Sequence, residues 1–120
     1  MPKYRPVIKS INQDKKSSIE EYFQNNTLRP ILKMKNHLLI NFFKNYLLAK
    51  KVNWEEKSND NKEQYIYKEL SRDVNLKNSL IHMVIGNFSC DEYSEYLKNS
   101  KEYNKRIWKM AQQRLYSQFI

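Results

Sequence analysis

Glycine is almost missing from this chain: Gly86 is the only one in 120 residues. Tight antiparallel hairpins depend on residues that accept positive φ, and glycine does so most readily. Proline is scarce as well, and two of the three, Pro2 and Pro6, fall in the first six residues. A β fold of several hairpins is therefore hard to close, although the many asparagines could replace glycine in some turns. A phosphate-cradling loop needs several glycines and is excluded. Cys90 is the sole cysteine, which rules out an internal disulfide and a paired-cysteine zinc site. No HExxH motif occurs. Long apolar runs are absent: the strongest, residues 38–43, is interrupted by Asn41 and falls far short of the ~20 residues a membrane-spanning helix requires. Residues 1–20 hold no apolar core of signal-peptide length. A soluble, cytoplasmic protein without membrane insertion is expected.

What the chain does have is positive charge, net +9, unevenly placed. Residues 1–16 carry +4, residues 27–51 carry +6 and residues 98–120 carry +5, while residues 52–97 carry −4. Such a balance attracts nucleic acid or another anionic surface, and it also keeps a protein in solution.

Apolar periodicity predicts an all-α fold: an irregular bundle of about five helices over residues 17–120, preceded by a poorly ordered basic arm at 1–16. Ser18 with Glu21, and Ser89 with Glu92, have capping-box spacing. Ile19, Tyr22 and Phe23 form the first apolar set. Thr27 is placed to cap the longest helix, with Pro30 in its first turn; if residues 18–51 form one helix, Pro30 should kink it. Ile31, Met34, Leu38, Phe42, Tyr46 and Ala49 form one apolar row, and Leu32, Leu39, Phe43 and Leu47 form an adjacent one. Leu38 sits centrally on this wide stripe, so its truncation is expected to destabilise severely. A helix is expected over residues 60–72. Asp73 is placed to cap another over 74–85, and Gly86 to end it in the left-handed conformation. Two more run over about 89–98 and from 101 to the end.

Three groups of residues invite a chemical reading. His37 and His82 could contribute to a two-histidine, one-carboxylate metal site, but each shares its helical arc with polar residues. They are weak candidates, and no metal or cofactor is expected. Cys90 lies in a first helical turn, where backbone N–H groups favour a thiolate, while Asp91 and Glu92 oppose one. No base beside it can be identified, so a structural cysteine is the expectation. The third group interleaves Tyr103, Trp108 and Tyr116 with Lys105, Arg106, Lys109 and Arg114, the combination of flat rings and charge that single-stranded nucleic acid favours.

The stretches FQNNTLRPILKMKNHLLINFF (23–43), HMVIGNFSCDEYSEY (82–96) and NSKEYNKRI (99–107) resemble a family of small, uncharacterised helical bacterial proteins. The resemblance covers roughly residues 18–118 and implies a compact helical protein with no established activity. Members often carry the label "glyoxalase". Glyoxalase I is built from βαβββ modules with metal ligands on strands, and glyoxalase II uses an HxHxDH motif. Neither is visible here, so no site residue is carried over.

The leading expectation is a non-enzymatic binding or interaction module of unknown partner, protein or nucleic acid, marked by an exposed apolar patch near Trp54 or Trp108. The alternative is a nucleic-acid-binding protein in which segments 1–16, 27–51 and 98–120 converge on one face, through Lys33, Lys44, Lys105, Arg106, Trp108 and Lys109. An enzyme, needing a pocket with His37 or His82 beside a carboxylate, comes third; a glyoxalase-like enzyme is carried only as the alternative that the family's label implies.

Overall fold

The computed structural model describes residues 18–120; the basic arm expected at 1–16 lies outside them. Among the described residues there are helices and no strands, in the order α1 (Ile19–Phe23), a π-turn (Gln24–Leu28), α2 (Arg29–Met34), α3 (Asn36–Ala49), a 3-10 turn (Trp54–Glu56), α4 (Asn59–Gln64), a second π-turn (Tyr65–Glu69), a 3-10 turn (Leu70–Arg72), α5 (Val74–Ile85), α6 (Cys90–Leu97) and α7 (Ser100–Phe119). The fold is all-α. Several pieces join end to end, giving six helical rods rather than about five.

Thr27 caps nothing. It is buried inside the first π-turn, where the Arg29 N–H reaches back to the Gln24 carbonyl. Pro30 follows at the start of α2. The widened turn runs straight into the residue that cannot donate a backbone bond, so α1, the π-turn and α2 form one continuous rod. The break comes instead at Lys35, whose φ of −98° and ψ of 17° leave helical geometry. At Ser18 the hydroxyl half of the capping box forms, its oxygen accepting from the Glu21 N–H at 3.0 Å. At Ser89 both halves form: its Oγ accepts from Glu92 N–H, and Glu92 Oε1 accepts from Ser89 N–H.

The left-handed helix stop exists, at another residue. Gly86 is right-handed, with φ −60°, whereas Lys51 has φ 57°. Lys51 N–H donates to Leu48 O at 3.0 Å and Val52 N–H to Leu47 O at 2.9 Å. That pair of bonds is the Schellman arrangement, which satisfies carbonyls orphaned at the end of α3. Asp73 caps α5 as its position predicts, with Oδ1 accepting from Leu76 N–H at 3.1 Å. Its other oxygen accepts from the Tyr46 hydroxyl at 2.6 Å, pinning α5 to α3. That hydrogen bond, with the Leu76 N–H, holds the Asp73 carboxyl below the usual carboxylate range.

The buried side of α3 differs from the one the wide stripe suggests. Leu39, Phe43 and Leu47 are buried, as is Leu32 on α2, while Leu38 is 48% exposed. The inward face is thus the narrower row, and Leu38 is not a core residue. In α1, likewise, Phe23 is buried while Ile19 and Tyr22 face solvent.

The core divides into two clusters strung along α7. Tyr103 and Ile107, from its first half, pack with Phe23, Leu28, Ile31, Ile81 and Tyr96. Trp108, Ala111 and Leu115, from its second half, pack with Phe43, Trp54, Ile66, Leu70 and Leu80. Each fully buried aliphatic side chain contributes about 1.5–3 kcal/mol relative to exposure. Helix α7 therefore acts as the spine against which the other rods assemble.

Candidate nucleic-acid interface

The site begins from the spacing of lysines on α7. Lys101, Lys105 and Lys109 are four residues apart, so they share one flank of the helix and rise by roughly 6 Å per step. Helix α5 crosses beside that flank, and Lys77 faces them from it. Together these four lysines line a cleft of about 320 Å³, with Asn104 and Gln112 among its polar walls and no carboxylate in its lining.

The floor of the cleft is fixed by buried polar bonds. Gln112, only 6% exposed, donates from Nε2 to the Ile66 carbonyl and to Ser71 Oγ, both at 3.1 Å. Trp108 Nε1 donates to the same Ser71 oxygen at 3.2 Å, and Ser71 donates onward to the Tyr67 carbonyl at 3.2 Å. The Lys77 ammonium stands 5.7 Å from the Trp108 ring centroid, a cation–π contact. Asn104 accepts from the Tyr96 hydroxyl at 2.6 Å. A groove built this way is preorganised: its mobile parts are the lysine heads, and its base is core.

The pattern has a cost. Like charges four residues apart on a helix destabilise it by about 0.2–0.5 kcal/mol per pair, and here two such pairs stand opposite a fourth cation. A glutamate at any one of these positions would relieve the repulsion. An anion does the same.

The sequence-predicted residues are only partly brought together. Lys105 and Lys109 lie in the groove. Arg106 does not: its Nε pairs with Glu102 at 2.8 Å and its Nη1 donates to Gln24 at 2.9 Å, bracing α7 against the first π-turn. Trp108 is 5% exposed, so its ring lies under the groove and offers no face on which a base could stack. Lys33 is exposed on α2, and Lys44 lines a different cleft, with Trp54 and Phe119. Lys77 and Lys101 were missed by sequence reasoning. The four-residue repeat from 101 to 109 was a signal for Lys101, whereas Lys77 sits in a net acidic segment and only packing brings it across.

Segments 27–51 and 98–120 come together away from the lysine groove. They meet on the other flank of α7, in a cleft lined by Arg29 and Arg114. Lys105 and Arg114 are nine residues apart, which turns them about 180° from each other around the helix. Trp54 is also buried, at 7%, so neither tryptophan is itself exposed, although Leu48, beside Trp54 in the same cleft, faces solvent. The groove beside Trp54, about 600 Å³, is the largest of these clefts; its charged walls, Lys44, Glu55 and Lys62, mix both signs and gather no set of like donors.

The histidines stand apart from these clefts. Both are exposed, and His82 Nδ1 is engaged with the Asn78 carbonyl at 2.7 Å. Cys90 is exposed with a free thiol. Among the described residues no three His, Cys, Asp or Glu side chains gather closely enough to hold a metal ion, and no helix is long and apolar enough to cross a membrane. No family model, curated protein or solved structure matches the chain.

Proposed function

We propose that the protein is a non-enzymatic nucleic-acid-binding module that grips a phosphate backbone in the groove between α5 and α7. The observation that carries this reading is the convergence of Lys77, Lys101, Lys105 and Lys109 on one cleft with no carboxylate in its lining. Lysine is a point-charge phosphate binder on a flexible stem. A row of such groups over a rigid floor suits a repeating phosphate chain better than a single small ligand. Contacts of this kind set position and affinity but carry no base sequence, and the buried Trp108 ring adds no stacking. The module therefore binds with little sequence preference. The expected cytoplasmic location gives it access to such partners.

Salt dependence tests the proposal. Each phosphate neutralised releases condensed counterions, and for duplex DNA the slope of log K against log salt is about −0.9 per contact. Replacing Lys101, Lys105 and Lys109 together with Gln should flatten that slope by roughly 2.7, read by filter binding at several salt concentrations. Arg106→Gln should leave the slope unchanged, because that guanidinium is engaged with Glu102 and Gln24. A triple variant with the slope of the parent protein would refute the groove as the binding surface.

A further inference from the structure

We infer that the cleft between α2 and α7 is a separate site for a single phosphoryl group, as inorganic phosphate or as a phosphate monoester. It lies on the flank of α7 turned away from the lysine groove, and the two clefts share no lining residue. Its volume is about 300 Å³, at the small end of ligand sites. Arg29 comes from α2; Gln113, Arg114 and Ser117 come from α7; Leu32 and Met110 supply the apolar wall. No carboxylate lines it.

Arg114 is the anchor. Its side chain is partly buried, and Nη1 donates to Asn36 Oδ1 at 3.1 Å. That bond holds the guanidinium plane in place and uses one of its five N–H donors. Burial and then the charge of Arg29 push the Arg114 pKa below its ordinary value, yet an arginine stays protonated at any accessible pH. Two guanidinium groups thus share a small, half-enclosed space without an acidic partner among its walls. An anion between them removes the repulsion and gains charge-assisted hydrogen bonds from both.

The donor set selects the class of anion. A carboxylate has two oxygens, and one guanidinium fork satisfies both. Two forks from different helices, with the Gln113 amide beside them, suit the several oxygens of a phosphoryl group. Leu32 and Met110 wall the cleft beside two guanidinium groups, where the other flank presents a row of four lysines.

The experiment follows the side-chain Nε–Hε signals of arginine in 15N-labelled full-length protein. Inorganic phosphate is titrated at constant ionic strength, and phosphoserine in a parallel series, with sodium chloride as control. Saturable shifts of the Arg29 and Arg114 signals are expected with at least one of the two phosphates. Tighter saturation by phosphoserine identifies a monoester site, and saturation by inorganic phosphate alone identifies a site for the free ion. Arg29→Gln, on an exposed position, should weaken binding at least tenfold while the circular dichroism spectrum stays unchanged. Arg114→Lys, which keeps the charge but loses the fork, should weaken it similarly. The triple lysine variant of the groove should bind phosphate like the parent, so failure of either site is distinguishable from failure of the other. Shifts that never saturate, or that chloride reproduces, overturn the inference, as does an Arg29→Gln protein of undiminished affinity.

Discussion

Lys51 holds a backbone conformation that glycine would hold with less strain. An L-residue in the left-handed region sets its Cβ against the following carbonyl oxygen, at a cost of about 1–2 kcal/mol. The Schellman bonds at the end of α3 require that conformation, with Lys51 and Val52 donating to Leu48 and Leu47. Lys51→Gly should therefore stabilise the protein by about 1 kcal/mol, offset in part by the greater freedom of glycine in the unfolded chain. Urea denaturation followed by circular dichroism measures the change; a destabilised variant would mean that the Lys51 side chain contributes more than its backbone costs. The contrast with Gly86 is instructive. Its φ of −60° is open to any residue, so the backbone conformation there does not call for glycine.

At the scale of the helix, α3 presents its narrower apolar row to the core. Phe43 is 1% exposed and packs edge-on against Trp54 and Phe119, with ring centroids 5.6 and 5.0 Å away. Phe43→Ala should cost about 3–5 kcal/mol, whereas Leu38→Ala, on the outer face, should cost about 0.5 kcal/mol or less. Thermal melts of the two variants separate these outcomes, and a similar loss in both would contradict the orientation of α3. The helix boundaries at Asp73, Ser89 and the α7 start were legible because caps and polar breaks are local chemistry. The facing of α1 was not. Bonds that span five residues shift the helical phase inside Gln24–Leu28, so Phe23 and Leu28 come inward together. A 3.6-residue period continued past Phe23 would not put Leu28 on the same face. The groove was half legible for a related reason: one flank of α7 is a repeat in sequence, but Lys77 joins it only through the packing of α5 on α7.

Across the whole molecule, tyrosines tie the helices together through their hydroxyls. Tyr103, fully buried, donates to Glu95 at 3.2 Å, and its pKa is pushed up to about 12, by burial first and then by the Glu95 charge. Burial is also the main cause of raised values at Tyr46, Tyr65, Tyr67 and Tyr96. In each case the fold favours the neutral phenol. Above about pH 10, the ordinary tyrosine value, the unfolded chain releases protons that the folded protein retains. Stability must then fall as pH rises through the folded values. Melting temperatures should decline together from about pH 10 upward, and Tyr103→Phe should make the decline shallower. Because these residues belong to both core clusters and α7 runs through both, a single cooperative transition is expected at every pH.

The indole of Trp108 lies beneath the lysine groove with the Lys77 ammonium 5.7 Å from its ring centroid, and this gives the groove an optical reporter of its own. Indole emission responds to nearby charge, so an anion that draws the Lys77 ammonium off the ring should shift the emitted wavelength and intensity. Trp54 belongs to a different cleft, beside Lys62, and supplies a steady background. A Trp54→Phe protein would leave Trp108 as its lone tryptophan, and unlabelled nucleic acid should then alter its emission along the same saturation curve that filter binding records. Phosphate held between Arg29 and Arg114, on the far flank of α7, should leave that light unchanged.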